Sequence, residues 1–190
     1  HLYTPAAYDR EPALRFPAVY WLHGSGGGLA GIAGLARRFD AAIEAGRAPP
    51  FLVVFVNGLP EGMYVDWVDG GPPVESMIVR DLVPHVDATF RTVAAREGRL
   101  VDGFSMGGYG AARLGFAHAN LFRAVSMLGA GPLDPDFEDT PRTGGREREE
   151  LLARVYGDRA AFRAASPWEI AGRHAHEIAR GSLVRQAIGD

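Results

Sequence analysis

Gly103-Phe104-Ser105-Met106-Gly107 places one hydroxyl between two glycines, where a short apolar run meets a Gly/Ala-rich helical stretch. That pattern suits a nucleophile that attacks acyl carbonyls. Leu100 and Val101 carry strand-like character into the turn and Met106 to Ala117 read as the helix leaving it, so Ser105 is expected at the apex in a strained backbone conformation. The helix N-terminus would bring free N–H groups and a positive dipole end to the oxyanion that forms on attack, and Met106 is one expected donor. Gly103 and Gly107 are expected where a Cβ would strike neighbouring backbone, and Gly108 and Gly110 where the helix packs closely. Helical glycine costs roughly 1 kcal/mol relative to alanine, so close approach is the reason expected for keeping it. The alternative is a glycine-rich strand–helix turn carrying an ordinary serine.

A second motif, His23-Gly24-Ser25-Gly26-Gly27-Gly28, follows the strand-like run 18–22. A strand-end loop of this kind can supply the other oxyanion amide, and its position after His-Gly makes Ser25 the expected donor, with His23 shaping the loop. No Gly-Lys-Ser/Thr follows, and the spacing fits neither a P-loop nor a dinucleotide fingerprint. Beyond the apolar run 51–56, the segment 57–71 holds Tyr64, Asp66 and Trp67 among glycines and prolines. It is expected to face the crevice where open parallel sheets bind ligands. Trp67 is a candidate wall for an acyl or aromatic pocket and Asp66 a candidate hydrogen-bond partner for substrate, with plain loop anchoring as the alternative for both.

Positioning these groups requires a sheet. Strand-like runs at 18–22, 51–56, 99–104, 124–128 and 182–188 alternate with helical stretches near 30–45, 75–90, 106–118 and 146–156, which predicts a mostly parallel sheet with helices on both faces. Residues 51–56 are apolar throughout, as in a strand buried on both sides. Ile78, Leu82, Val86 and Phe90 form a core-facing stripe that Pro84 should kink or split. Residues 169–179 read as one further helix. The 190 residues, 47% hydrophobic, suffice for one core, and a single domain is expected over 1–190. Within it 129–165 is a candidate cap or lid, the alternative being a surface insertion.

Composition narrows the chemistry. All 20 basic residues are arginine, which excludes lysine Schiff-base chemistry, and a net charge of −3 with arginine spread along the chain gives no support for nucleic-acid binding. The absence of cysteine excludes thiolate nucleophiles and leaves the compartment unread. No apolar run approaches a membrane span, and the first residues read as the tail of a strand, so a targeting segment upstream is left open. No His/carboxylate set has the spacing of a metal site, and no cofactor is expected.

Across most of its length the chain resembles the esterase D-like group of alpha/beta-hydrolases, which includes feruloyl esterases, S-formylglutathione hydrolases, iron-siderophore esterases and mycolyltransferases. The similarity is carried by Gly103-Phe104-Ser105-Met106-Gly107-Gly108, Tyr20-Trp21-Leu22-His23-Gly24, Asp81-Leu82-Val83-Pro84, Phe90-Arg91-Thr92, Leu121-Phe122-Arg123 and Ser166-Pro167. It implies an alpha/beta-hydrolase fold with Ser105 as nucleophile, the Met106 and Ser25 amides as oxyanion donors, and a small-molecule ester or thioester as substrate. It also implies a triad acid and then a histidine after the nucleophile. Counting from Gly189, that acid is expected just past Asp190, with Asp190 itself the fallback, and the histidine further on. The 190 residues are therefore expected to be an incomplete record of a longer protein. His174 and His176 precede the acid-bearing strand, in the wrong order for the base. Acyl transfer to a sugar or alcohol, and a non-catalytic binding module of the same fold, are the alternatives to ester hydrolysis. Oligomeric state is not readable from these residues.

Overall fold

The computed structural model describes residues 1–28, 31–130 and 146–188, the last stretch with side chains from 149 onward. Six strands, β1 (Leu2–Tyr3), β2 (Ala18–Leu22), β3 (Leu52–Val56), β4 (Arg99–Phe104), β5 (Ala124–Leu128) and β6 (Leu183–Ala187), form one sheet in the order β1-β3-β2-β4-β5-β6. Only the β1–β3 pair at one edge is antiparallel. All five strands expected from the apolar runs are present within a residue or so of their expected bounds.

Helices connect the strands and cover them. A short α1 (Ala7–Arg10) precedes β2, and α2 (Ile32–Glu44) follows it. The apolar spacing of Ile32, Leu35, Ala36, Phe39 and Ile43 lets α2 bury Val53 and Phe55 of β3 together with Val19 and Trp21 of β2. The opposite faces of the same strands, through Tyr20, Leu22, Val54 and Val56, belong to the larger core with Val101, Leu114, Phe122 and Val125. Every residue of β3 is buried, which accounts for its unbroken apolar character.

Between β3 and β4 the chain forms α3 (Val74–Ser76), a π-helical turn (Met77–Leu82) and α4 (Val83–Thr89). The interruption expected at Pro84 is therefore a widened turn, with the Val83 amide bonded to the Ile78 carbonyl, five residues back. A proline ring clashes with the carbonyl four residues earlier, and widening the preceding turn relieves this while Ile78, Val83 and Val86 stay in the core. α5 (Met106–Ala117) leaves β4 and packs on β4 and β5. Beyond β5 lie α6 (Arg146–Val155), α7 (Arg159–Ala164), α8 (Pro167–Arg173) and α9 (Ala175–Ala179).

One expectation changes here. The single helix read over 169–179 is two, α8 and α9, broken at His174, while Ser166 caps α8 by accepting the Glu169 amide at 3.3 Å. Of the candidate cap at 129–165, residues 131–145 lie outside the described residues. In its described part, Leu152, Val155, Tyr156 and Phe162 are buried in the larger core. Tyr156 meets Phe162 edge-to-face at 4.9 Å and its hydroxyl lies 3.3 Å from that of Tyr109 on α5.

Candidate active site

Ser105 sits where β4 hands over to α5, with φ 56° and ψ −118°, a conformation costing an L-residue on the order of 1–3 kcal/mol. Its amide donates to the Leu128 carbonyl at 2.9 Å and its carbonyl accepts the Tyr109 amide at 3.0 Å. Both backbone groups are thus committed to the sheet and the helix. The hydroxyl of this half-buried residue has no hydrogen-bond partner among the described residues. The turn can be this tight because a Cβ on Gly103 would strike the backbone of Gly107, and a Cβ on Gly107 would strike the Leu22 carbonyl.

The glycine loop after β2 lies against this turn. A Cβ on Gly24 would stand 3.3 Å from both the Phe104 carbonyl oxygen and Cβ of Ser105, so the loop backbone is in van der Waals reach of the serine. Gly26 donates to the Pro60 carbonyl at 2.9 Å and Gly27 to the Gly24 carbonyl at 3.1 Å. The Gly58 amide donates to Nε2 of His23 at 3.0 Å, which leaves the ring proton on Nδ1, 2.8 Å from the Gly24 carbonyl oxygen. With both nitrogens engaged, His23 is a loop anchor. The Gly24 carbonyl that it holds shares a peptide plane with the Ser25 N–H, so the imidazole sets the direction of that amide. The Ser25 and Met106 amides meet no carbonyl acceptor among the described residues.

A third segment closes on the glycine loop from β3. Tyr64 is fully buried, with φ 56°, and its hydroxyl donates to the His23 carbonyl at 2.8 Å. Arg113 of α5 donates to the Tyr64 carbonyl at 3.0 Å and is ion-paired with Glu75, whose other oxygen lies 2.7 Å from Nε2 of His118. Burial raises the Glu75 carboxyl, but the His118 hydrogen bond and the Arg113 charge outweigh it and hold the group below the ordinary carboxylate range. The sequence marks Tyr64 only as an aromatic in a loop, and nothing local in it announces the Glu75–Arg113–His118 cluster.

Asp66 and Trp67 have the contacts of loop anchors. Asp66 accepts the Ser76 amide at 2.8 Å and the Ser76 hydroxyl at 2.5 Å, at the last residue of the single turn α3. The Trp67 indole donates to the Gly62 carbonyl at 3.3 Å and carries the Arg154 guanidinium 4.8 Å from its ring centre. Neither side chain hydrogen-bonds to Ser105 or the glycine loop among the described residues. His174 is the residue between α8 and α9, His176 is exposed, and Asp190 lies outside the described residues. His85 and Asp81 line a cavity of about 750 Å³ beside the π-helical turn and are not ion-paired with each other. A second cavity of about 570 Å³ lies behind the glycine loop, between His23, Gly27, Trp21 and Leu35. Among the described residues no group of His, Asp or Glu is arranged to hold a metal ion, and no helix is long and apolar enough to cross a membrane.

A protein-family profile described as "Putative esterase" matches residues 1–186. An esterase of Mycobacterium tuberculosis is 32% identical over 67% of this chain and 28% of its own length, so the chain spans less than a third of that relative. The fluorophosphonate-binding serine hydrolase F of Staphylococcus aureus, solved with substrate bound, superposes with a TM-score of 0.72 at 14% identity, covering 98% of this chain and 70% of that one. An S-formylglutathione hydrolase from Agrobacterium tumefaciens gives 0.68 at 18% identity over 100% and 80% of the two chains. At these identities the structures establish shared architecture, and the profile spans nearly the whole chain. The chain therefore has the α/β-hydrolase fold and belongs to this esterase family.

Proposed function

We propose that this chain carries the nucleophile and oxyanion hole of a serine carboxylesterase that hydrolyses a small-molecule ester or thioester. The observation carrying the proposal is the Ser105 turn, a strained non-glycine apex at a helix N-terminus with the glycine loop against its Cβ. Ser105 Oγ bonds to the acyl carbon as its proton passes to a general base, and the carbonyl π-electrons move onto oxygen. The Met106 and Ser25 amides receive that oxyanion. Collapse expels the alcohol or thiol, which takes up the proton, and water then releases the acyl group from Ser105 by the reverse sequence. None of the six histidines, all of them among the described residues, hydrogen-bonds to Ser105.

Fluorophosphonate labelling of the full chain tests this directly. One adduct on Ser105 is expected, lost in Ser105→Ala together with esterase activity, on the order of a 10⁴-fold fall or more. No adduct, or an adduct elsewhere, overturns the reading and favours a non-catalytic binding module. Partitioning of the acyl-enzyme between water and added alcohols separates hydrolysis from acyl transfer.

A further inference from the structure

We infer that Tyr64 is a positioning residue for the oxyanion hole, holding the glycine loop in register with the nucleophile helix. This rests on the reading of Ser25 and Met106 as the two oxyanion donors. Those amides belong to different elements, the loop after β2 and the start of α5, and a hole built from two elements works only if their separation is fixed. Tyr64 touches both. Its hydroxyl donates to the His23 carbonyl, the peptide immediately before the one that carries the Ser25 N–H. Its ring is clamped so closely between Gly58 and Gly110 that a Cβ on either would strike the ring. Its carbonyl is held by Arg113, one turn further along α5 from Gly110.

The surroundings favour a positioning role over simple packing. Tyr64 has φ 56°, a strained value for a non-glycine residue, and in this conformation its phenol reaches the His23 carbonyl. Burial pushes the phenol well above its ordinary pKa, so it remains a donor across the working pH range. The partner at the far end is equally constrained: the imidazole of His23 is fixed by the Gly58 amide and in turn fixes the Gly24 carbonyl. Tyr64, His23 and Gly58 thus form a closed set in which each orients the next. Removing the phenol oxygen frees the His23 carbonyl while leaving the ring packing in place.

Tyr64→Phe in the full chain, assayed on a p-nitrophenyl ester beside Ser105→Ala, tests the inference. Rates of the Tyr64 and Gly58 variants are expressed per active site titrated with fluorophosphonate, so unfolded protein does not enter them, and those of Ser105→Ala per mole of folded protein. The expected result is a fall in kcat of about 10-fold with KM within about twofold, since small misplacements of a reacting group can cost up to about 100-fold. Affinity for a trifluoromethyl ketone, whose adduct places an oxyanion in the hole, should weaken by a similar factor. Gly58→Ala, which presses on the ring and displaces the hydroxyl without deleting it, should lower kcat in the same sense. An unchanged kcat per titrated site in Tyr64→Phe, or equal losses in kcat and KM with unchanged ketone affinity, overturns the role of Tyr64 alone. Retained activity in Ser105→Ala overturns the serine mechanism instead, whatever Tyr64→Phe shows.

Discussion

Two parts of the sheet rim hold strained backbone, and they are held in opposite ways. At the turn between β4 and α5 a single non-glycine residue, Ser105, has positive φ, and glycines two residues to either side make room for it. In the segment between β3 and α3 three such residues occur, Leu59, Met63 and Tyr64. Beside Gly58 and Gly62 within it, this segment is held by remote partners. His23, Gly110 and Arg113 fix Tyr64, Ser76 fixes Asp66, and the Val155 and Arg154 carbonyls accept the Val68 and Asp69 amides at 3.3 and 3.4 Å. Each such conformation costs on the order of 1–3 kcal/mol. The first region gains its clearance from its own glycines against β2, with Leu128 of β5 holding the Ser105 amide, whereas the second adds contacts to α3, α5 and α6 to those of its own Gly58 and Gly62. The glycine pattern that shapes the Ser105 turn is therefore written within a few residues, whereas the contacts that shape the segment after β3 are spread along the chain.

The sharpest way to break this contrast is to attack the local region. Gly107→Ala puts a Cβ into the Leu22 and His23 carbonyls, backbone atoms that no side-chain rotation can move. A stability loss of about 3 kcal/mol or more is expected, by the overpacking and strain that produce the largest single-residue effects. Fluorophosphonate labelling should fail along with it, because β2, the glycine loop and α5 separate together. Urea denaturation is the measurement. A variant with parental stability and labelling would show that the close approach at Gly107 is not required.

The non-local region should yield more gently, and with a pH signature. Glu75→Gln removes the charge that pairs with Arg113 and His118, at an expected cost of about 2 kcal/mol for partly buried partners. The folded-state pKa of Glu75 is depressed, so its contribution is present above the ordinary carboxylate value of about 4.3 and is lost as pH falls through the lower folded value. Thermal unfolding of the parent and Glu75→Gln between pH 7 and pH 3 should therefore converge as pH falls. A gap that stays constant or widens towards acid would contradict the pairing.

How far each region could be read in advance follows from the same contrast. The strand bounds at 18–22, 99–104 and 124–128 and the start of α5 at Met106 emerged directly, because apolar runs and glycine spacing are local signals. Ser105 and the glycine loop were expected together for that reason, and the structure brings them into contact. Tyr64 was visible only as a residue type. Its importance lies in a hydroxyl meeting a carbonyl 41 residues away, and sequence spacing carries no such information. The sequence gives no sign of the break at His174, because 169–179 contains no proline or strong stop beyond Gly172. The π-helical turn, in contrast, left a local trace in Pro84.

Asp66 offers the smallest and most discriminating test of the second region. An acidic residue in this loop admits two roles, contact with substrate or support of the loop, and they differ in what a deletion changes. Both carboxylate oxygens are occupied by Ser76, where the amide is one of the helix-start donors that α3 cannot satisfy itself. Asp66→Ala should then act like the loss of a helix cap, at about 1 kcal/mol, and Asp66→Asn, which keeps an acceptor oxygen, should recover part of it. The kinetic expectation is no change in kcat and less than a twofold change in KM, because the anchor lies outside the Tyr64–His23–Gly58 set. A rise in KM at unchanged thermal stability would reverse the assignment, placing the carboxylate on the substrate and making the segment after β3 a recognition surface as well as a brace.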